Sequence, residues 1–142
     1  MNNITEILNH LVKFTGTMNY YQCDQYPYLY WTDGVQFYCS QLNNMIILEH
    51  INYYSKYIGE GNLEFLKTVE PNIDTEQLYL LKGVQFWHVT LINSSPHLCC
   101  RADTDYPSLF QIPISLTYNV AQKFYCQRHS TKKWVLMLNS EY

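Results

Sequence analysis

The sequence is short of most of the features that announce an activity. No glycine-rich phosphate loop occurs, and the five glycines are scattered. No Ser/His/Asp arrangement forms a triad signature, and no Cys/His spacing matches a standard zinc finger or ribbon. Cationic residues are few: nine Lys and Arg against 12 Asp and Glu give a formal charge of -3. That balance argues against a dedicated nucleic-acid binder, because neutralising phosphates takes clustered Lys and Arg. The one basic cluster, Arg128, Lys132 and Lys133 with His129 among them, reads as the decoration of a turn. No apolar run approaches the roughly 18 residues of a membrane span. Met1 to Lys13 lacks the basic start and apolar middle of a signal peptide, so the expectation is a cytosolic protein that touches no membrane. Five cysteines, an odd number with Cys99 and Cys100 adjacent, do not make a disulfide framework and read as reduced thiols.

What is there is tyrosine. The chain has 14, and nine of them precede residue 60: Tyr20, Tyr21, Tyr26, Tyr28, Tyr30, Tyr38, Tyr53, Tyr54 and Tyr57. Tyrosine offers a large contact area and a hydroxyl at low entropic cost, which enriches it in interfaces as well as in half-buried packing. A length of 142 residues and a hydrophobic fraction of 47% suit one globular domain spanning 1–142, able to bury about two thirds of its unfolded surface.

The chain changes period halfway. Ile4, Ile7, Leu8 and Leu11 share a helical face, with Asn3 as cap and Glu6 three residues on; Gly16 ends this element. Tyr28 to Trp31 reads as a short strand before the turn signal Asp33-Gly34. Val35 to Leu42 fits both an alternating and a helical pattern, and its bounds favour helix. Met45 to Ile58 is a clear amphipathic helix through Ile47, Leu48, Ile51, Tyr54 and Ile58, with Asn44 as cap and Gly59 as its left-handed end. Residues 62–82 read as an inserted, acidic connector with short helices capped by Asn62 and Asp74.

Alternation then takes over. Val84 to Asn93, His97 to Ala102, Phe110 to Leu116, Phe124 to Gln127 and Trp134 to Leu138 read as strands. Asn93-Ser94-Ser95-Pro96 forms a turn, and Pro113 marks an edge or a bulge. The expected class is α+β, N-terminal helices packed on a C-terminal antiparallel sheet of about four or five strands.

Several segments together resemble a family. They are Phe14-Thr15-Gly16-Thr17, Tyr20-Tyr21, Tyr30-Trp31-Thr32-Asp33-Gly34-Val35, Phe86-Trp87 and the closing Leu136-Met137-Leu138-Asn139-Ser140-Glu141-Tyr142. The chain is similar to a family of small uncharacterised bacterial and phage proteins, a domain of unknown function common in cyanobacteria and on mobile elements. It departs from that pattern at Asn139, where a proline is expected, and in a longer connector. The resemblance brings no catalytic residues. Its setting on mobile elements implies a role in genetic conflict, such as an anti-CRISPR-like inhibitor of a defence system whose partner is a host protein or defence complex.

Three readings of function remain. The preferred one is a non-enzymatic protein-binding module without a cofactor, with partner-binding residues Tyr20, Tyr21, Tyr26, Tyr28, Glu141 and Tyr142. Glu141 also has a plainer role, docking against a basic or hydroxyl group beside a buried strand. The second is a small enzyme or metal protein. Its metal would sit among His97, Cys99 or Cys100, Cys126 and His129, or its nucleophile would be Cys23 or Cys39 with His50 as base. The third is single-stranded nucleic-acid binding by aromatic stacking. His88, between Trp87 and Val89, reads as a hydrogen-bonded sheet histidine.

Overall fold

The computed structural model describes residues 4–16, 19–103, 105–130 and 132–141. The proposed cap Asn3 and the partner residue Tyr142 fall outside these residues, as does Thr17.

In chain order the elements are α1 (Ile4–Leu11), β1 (Tyr20–Tyr21), β2 (Leu29–Thr32), α2 (Asp33–Gln41), α3 (Ile46–Glu60), α4 (Leu63–Val69), α5 (Thr75–Leu80), β3 (Val84–Ile92), β4 (Ser95–Arg101), β5 (Ser108–Pro113), β6 (Gln122–Ser130) and β7 (Lys133–Leu138). A closing 3-10 turn covers Asn139–Glu141. The class is α+β, but the sheet has seven strands in the order β1-β2-β7-β6-β3-β4-β5, more than the four or five expected. The excess comes from the N-terminal half. β1 has only two residues, too few for alternation to show, and β2 pairs in parallel with β7 through Leu29↔Trp134 and Tyr30↔Val135. The sheet is therefore mixed, and β7 lies inside it, as an apolar Trp134 to Leu138 requires.

The strands from β3 onward pair antiparallel with one another; hairpins join β3 to β4, β4 to β5 and β6 to β7, and the chain crosses from β5 at the edge back to β6 beside β3. Asn93 and Ser94 take positive φ angles of 52° and 66°, the mirror-turn geometry that matches strand twist. Pro113 lies on β5, the outermost strand, where a missing N–H costs least.

All five helices precede β3, and the long ones cover one face of the sheet. Trp87, Val89, Leu98, Cys100, Phe110, Phe124, Cys126, Trp134, Leu136 and Leu138 fill this face and are buried. Tyr38 of α2 meets Phe124 edge-on, and Tyr54 of α3 meets Trp87 and Phe110. Ser55 of α3 donates to Gln85 Oε1 at 3.0 Å, and the same oxygen accepts from Trp87 Nε1 at 2.7 Å, so a polar pin fixes helix to sheet within the core. Truncating a buried tryptophan such as Trp87 or Trp134 costs about 3–5 kcal/mol in comparable cores.

Caps follow the sequence only in part. Asn62 Oδ1 accepts from Phe65 N at 3.1 Å, and Asp74 Oδ1 accepts from Glu76 N and Gln77 N. Asn44 does not cap α3; it is buried and donates to the Tyr118 carbonyl. The left-handed residue at the end of α3 is Gly61, with φ +67°, and Gly59 remains inside the helix. The apolar face continues through Ile58, so the helix runs one turn-fraction further before the chain reverses.

Candidate interaction surface

The opposite face of the sheet is open. Register places Arg101 of β4, Phe86 of β3, Tyr125 of β6 and Met137 of β7 side by side as cross-strand neighbours. His88 and Lys123 are the next pair along β3 and β6, while Val135 of β7 stands opposite Tyr30 of β2. These side chains are half-exposed or exposed, in contrast to the buried residues that alternate with them. A merely solvated antiparallel face would carry polar residues here. This one carries a row of two rings and a thioether that ends on a cation, Arg101.

Local contacts give the face its character. Phe86 and Tyr125 meet edge-to-face with centroids 5.0 Å apart. Lys133 Nζ lies 4.9 Å from the centroid of the Tyr30 ring, and His129 packs on the same ring at 5.6 Å. Two hollows open here, one of about 100 Å³ lined by Phe86, His88, Arg101, Lys123 and Tyr125, and one of about 300 Å³ lined by Tyr20, Tyr30, His129 and Val135. His88 is pushed down to about 4, first by burial and then by the positive charges of Arg101 and Lys123. Arg101 Nη2 and His88 Nε2 are 3.1 Å apart.

Charge is segregated between the two sides. None of the 12 Asp and Glu lies in a strand, whereas Arg101, Lys123 and Lys133 do, together with His88, His97 and His129; Arg128 is also in a strand but turns to the helix side, over Trp134. The net charge of -3 thus averages an acidic helical layer and a basic sheet. No motif reports this, because the cations are spread over three strands and meet only through pairing.

A wider cleft of about 770 Å³ lies elsewhere, between the residues after α1 and the start of α2, lined by Phe14, Thr15, Gly16, Asn19, Tyr21, Asp33 and Gln36 among others. Its polar groups hold the fold together. The Asp33 carboxylate accepts from Asn19 N at 3.0 Å and from Tyr21 Oη at 3.1 Å, and Gln36 Oε1 accepts from Trp31 Nε1 at 2.7 Å.

The comparisons with known proteins add nothing to this geometry. No family model matches the chain, and no curated protein or solved structure does.

The sequence-predicted residues do not form one patch. Tyr20 is 64% exposed and borders the open face. Tyr21 faces the other way, bonded to Asp33, which raises its phenol above the ordinary value. Tyr26 is half-buried edge-on to Trp31; Tyr28 is also half-buried, donates its backbone N–H to Asn52, and has the Lys56 ammonium over its ring. Glu141 is interior, 8% exposed. Its Oε1 accepts from Thr32 Oγ1 at 2.6 Å and Leu138 N at 3.0 Å, and its Oε2 from Gly34 N at 3.1 Å. The plainer of the two readings of Glu141, docking against a hydroxyl, is the one these distances describe.

The proposed ligands and nucleophiles also part. Cys100 and Cys126 lie in the core face, whereas His97 and Cys99 alternate onto the other. Among the described residues no group of three or more His, Cys, Asp or Glu could hold a metal ion. Burial pushes the Cys39 thiol up to about 12 and lowers His50, the reverse of what an activated thiolate–imidazolium pair needs. Among the described residues no helix is long and apolar enough to cross a membrane.

Proposed function

We propose that the chain is a non-enzymatic binding module that receives a macromolecular partner on the open face of its sheet. The observation that carries this reading is the half-exposed row Arg101, Phe86, Tyr125 and Met137 on strands that contain no acidic residue. Aromatic rings and Arg are the side chains that supply most of the energy at docking surfaces, and the rigid sheet holds them without an ordering cost. The inhibitor role implied by the resemblance to mobile-element proteins suits such a module, since occupation of a partner is all it requires.

The test is capture by tagged protein in two forms, wild type and Phe86→Ser/Tyr125→Ser, with folding checked by circular dichroism. A stoichiometric ligand bound by the wild type and lost by the double variant is expected. The same ligand bound equally by both would overturn the reading.

A further inference from the structure

Resting on that assignment of the docking surface, we infer that its occupant is single-stranded nucleic acid, with bases stacked on Phe86, Tyr125 and Tyr30 and phosphates set against Arg101, Lys123 and Lys133. Three features select this chemistry. The half-exposed rings stand on three strands, Phe86 and Tyr125 at 84° to each other, so each offers a separate contact to an unpaired base, and bases stack on any aromatic surface. Cations are interspersed with the rings: Arg101 on β4 stands beyond Phe86, Lys123 shares β6 with Tyr125, and Lys133 on β7 lies between Tyr125 and Tyr30. The acidic groups that would repel a phosphate chain are all kept off the strands.

The dimensions agree. From β3, which carries Phe86, to β2, which carries Tyr30, there are three strand spacings, or ~14 Å. A fully stacked strand, at about 3.4 Å per phosphate, would place roughly four nucleotides on that span, and a strand opened to reach the rings covers it with fewer. Duplex nucleic acid keeps its base faces inside the stack and cannot use the rings, so its binding would rest on the cations alone. An acidic protein surface is the competing occupant; it would engage the cations but has no flat faces to offer Phe86, Tyr125 and Tyr30.

The salt response follows from the number of cations. Three phosphate contacts on a single strand give a slope near -2 in a plot of log affinity against log salt, or about a twentyfold loss from ~50 to ~200 mM. Removing one stacking ring is worth about 5- to 150-fold.

The experiment is fluorescence anisotropy with a labelled oligothymidine, the matching oligouridine, and a duplex of each. Expected are binding of at least one single strand more tightly than its duplex, the salt slope given, and weakening in that stacking range by Tyr125→Ser. The charge reversal Lys123→Glu, made at an exposed side chain that folding does not depend on, is expected to weaken binding at least tenfold at low salt. Comparing the two single strands separates a DNA from an RNA ligand. Absence of single-strand binding at low salt, or binding that neither variant weakens, would overturn the inference. If oligonucleotides fail to bind while Phe86→Ser/Tyr125→Ser still loses the ligand captured by the wild type, the nucleic-acid assignment falls and the surface assignment stands. If capture is the same in wild type and double variant, the surface assignment falls as well.

Discussion

Replacing Glu141 by Ala should be among the most damaging single changes away from the large core residues. The carboxylate sits at the first turn of α2 and takes three hydrogen bonds, from Thr32 Oγ1, Gly34 N and Leu138 N. Thr32 is 1% exposed, so no water replaces the lost acceptor without rearrangement. Each hydrogen bond to a charged group is worth about 1.5–3 kcal/mol, and an orphaned buried donor costs about 1–3 kcal/mol, terms that overlap rather than add. A further 0.3–1 kcal/mol or so is lost with the negative charge at a helix N-terminus. A total near 4 kcal/mol is expected for Glu141→Ala and about half that for Glu141→Gln, which keeps the shape and one acceptor. With a urea m-value of about 2 kcal/mol/M, the unfolding midpoint should fall by roughly 2 M and roughly 1 M. Gly34→Ala should mimic the larger loss, because its Cβ would overlap Glu141 Oε1 and come within 2.6 Å of Leu138 Cδ1. A loss below about 0.5 kcal/mol for Glu141→Ala would show that these three hydrogen bonds do not hold the start of α2 in place.

Three smaller predictions can be checked alongside. Gly61→Ala should destabilise by ~1 kcal/mol because of its positive φ, whereas Gly59→Ala, with only ordinary contacts to Trp134, should stabilise by up to ~1 kcal/mol; opposite shifts in thermal midpoint are the readout. His88 is held near 4 in the folded state, so stability is full above its unfolded pKa of 6.5 and declines as pH falls from 6.5 toward 4. Because the ring is half-exposed, the decline is discounted to about 1 kcal/mol and should vanish in His88→Gln. A thiol reagent should label Cys23 rapidly in the folded protein and leave the buried Cys39, Cys99, Cys100 and Cys126 unmodified until unfolding.

Local signals in the sequence translated well into local structure. The Met45 to Ile58 pattern became Ile46–Glu60, and the Asn62 and Asp74 caps formed as their spacing suggests. What could not be read was pairing. β2 has four residues and finds its partner β7 about a hundred positions later, and β1 is shorter than one period of alternation. The same lack hid the candidate site. Phe86, Arg101, Tyr125 and Met137 are unremarkable in their own segments, and only the register of four strands makes them neighbours. The resemblance-bearing segments have an architectural explanation in part: Glu141 closes on Thr32 and Gly34, which lie more than a hundred residues earlier in the chain, at the start of α2. The tyrosine count pointed to an interface, but it did not separate Tyr20 and Tyr30, on the open side, from Tyr21, Tyr26 and Tyr28, which support the fold.

The most direct measurement is a two-dimensional NMR titration of the labelled protein with a short single-stranded oligonucleotide at low salt. Progressive shifts are expected at Tyr30, Phe86, His88, Tyr125 and Met137, with the His88 ring moving toward its protonated form as phosphate offsets the charges of Arg101 and Lys123. Shifts confined to Phe14, Asn19, Tyr21 and Gln36 in the α2 cleft, or no shifts at saturating probe, would contradict single-strand docking on the open face.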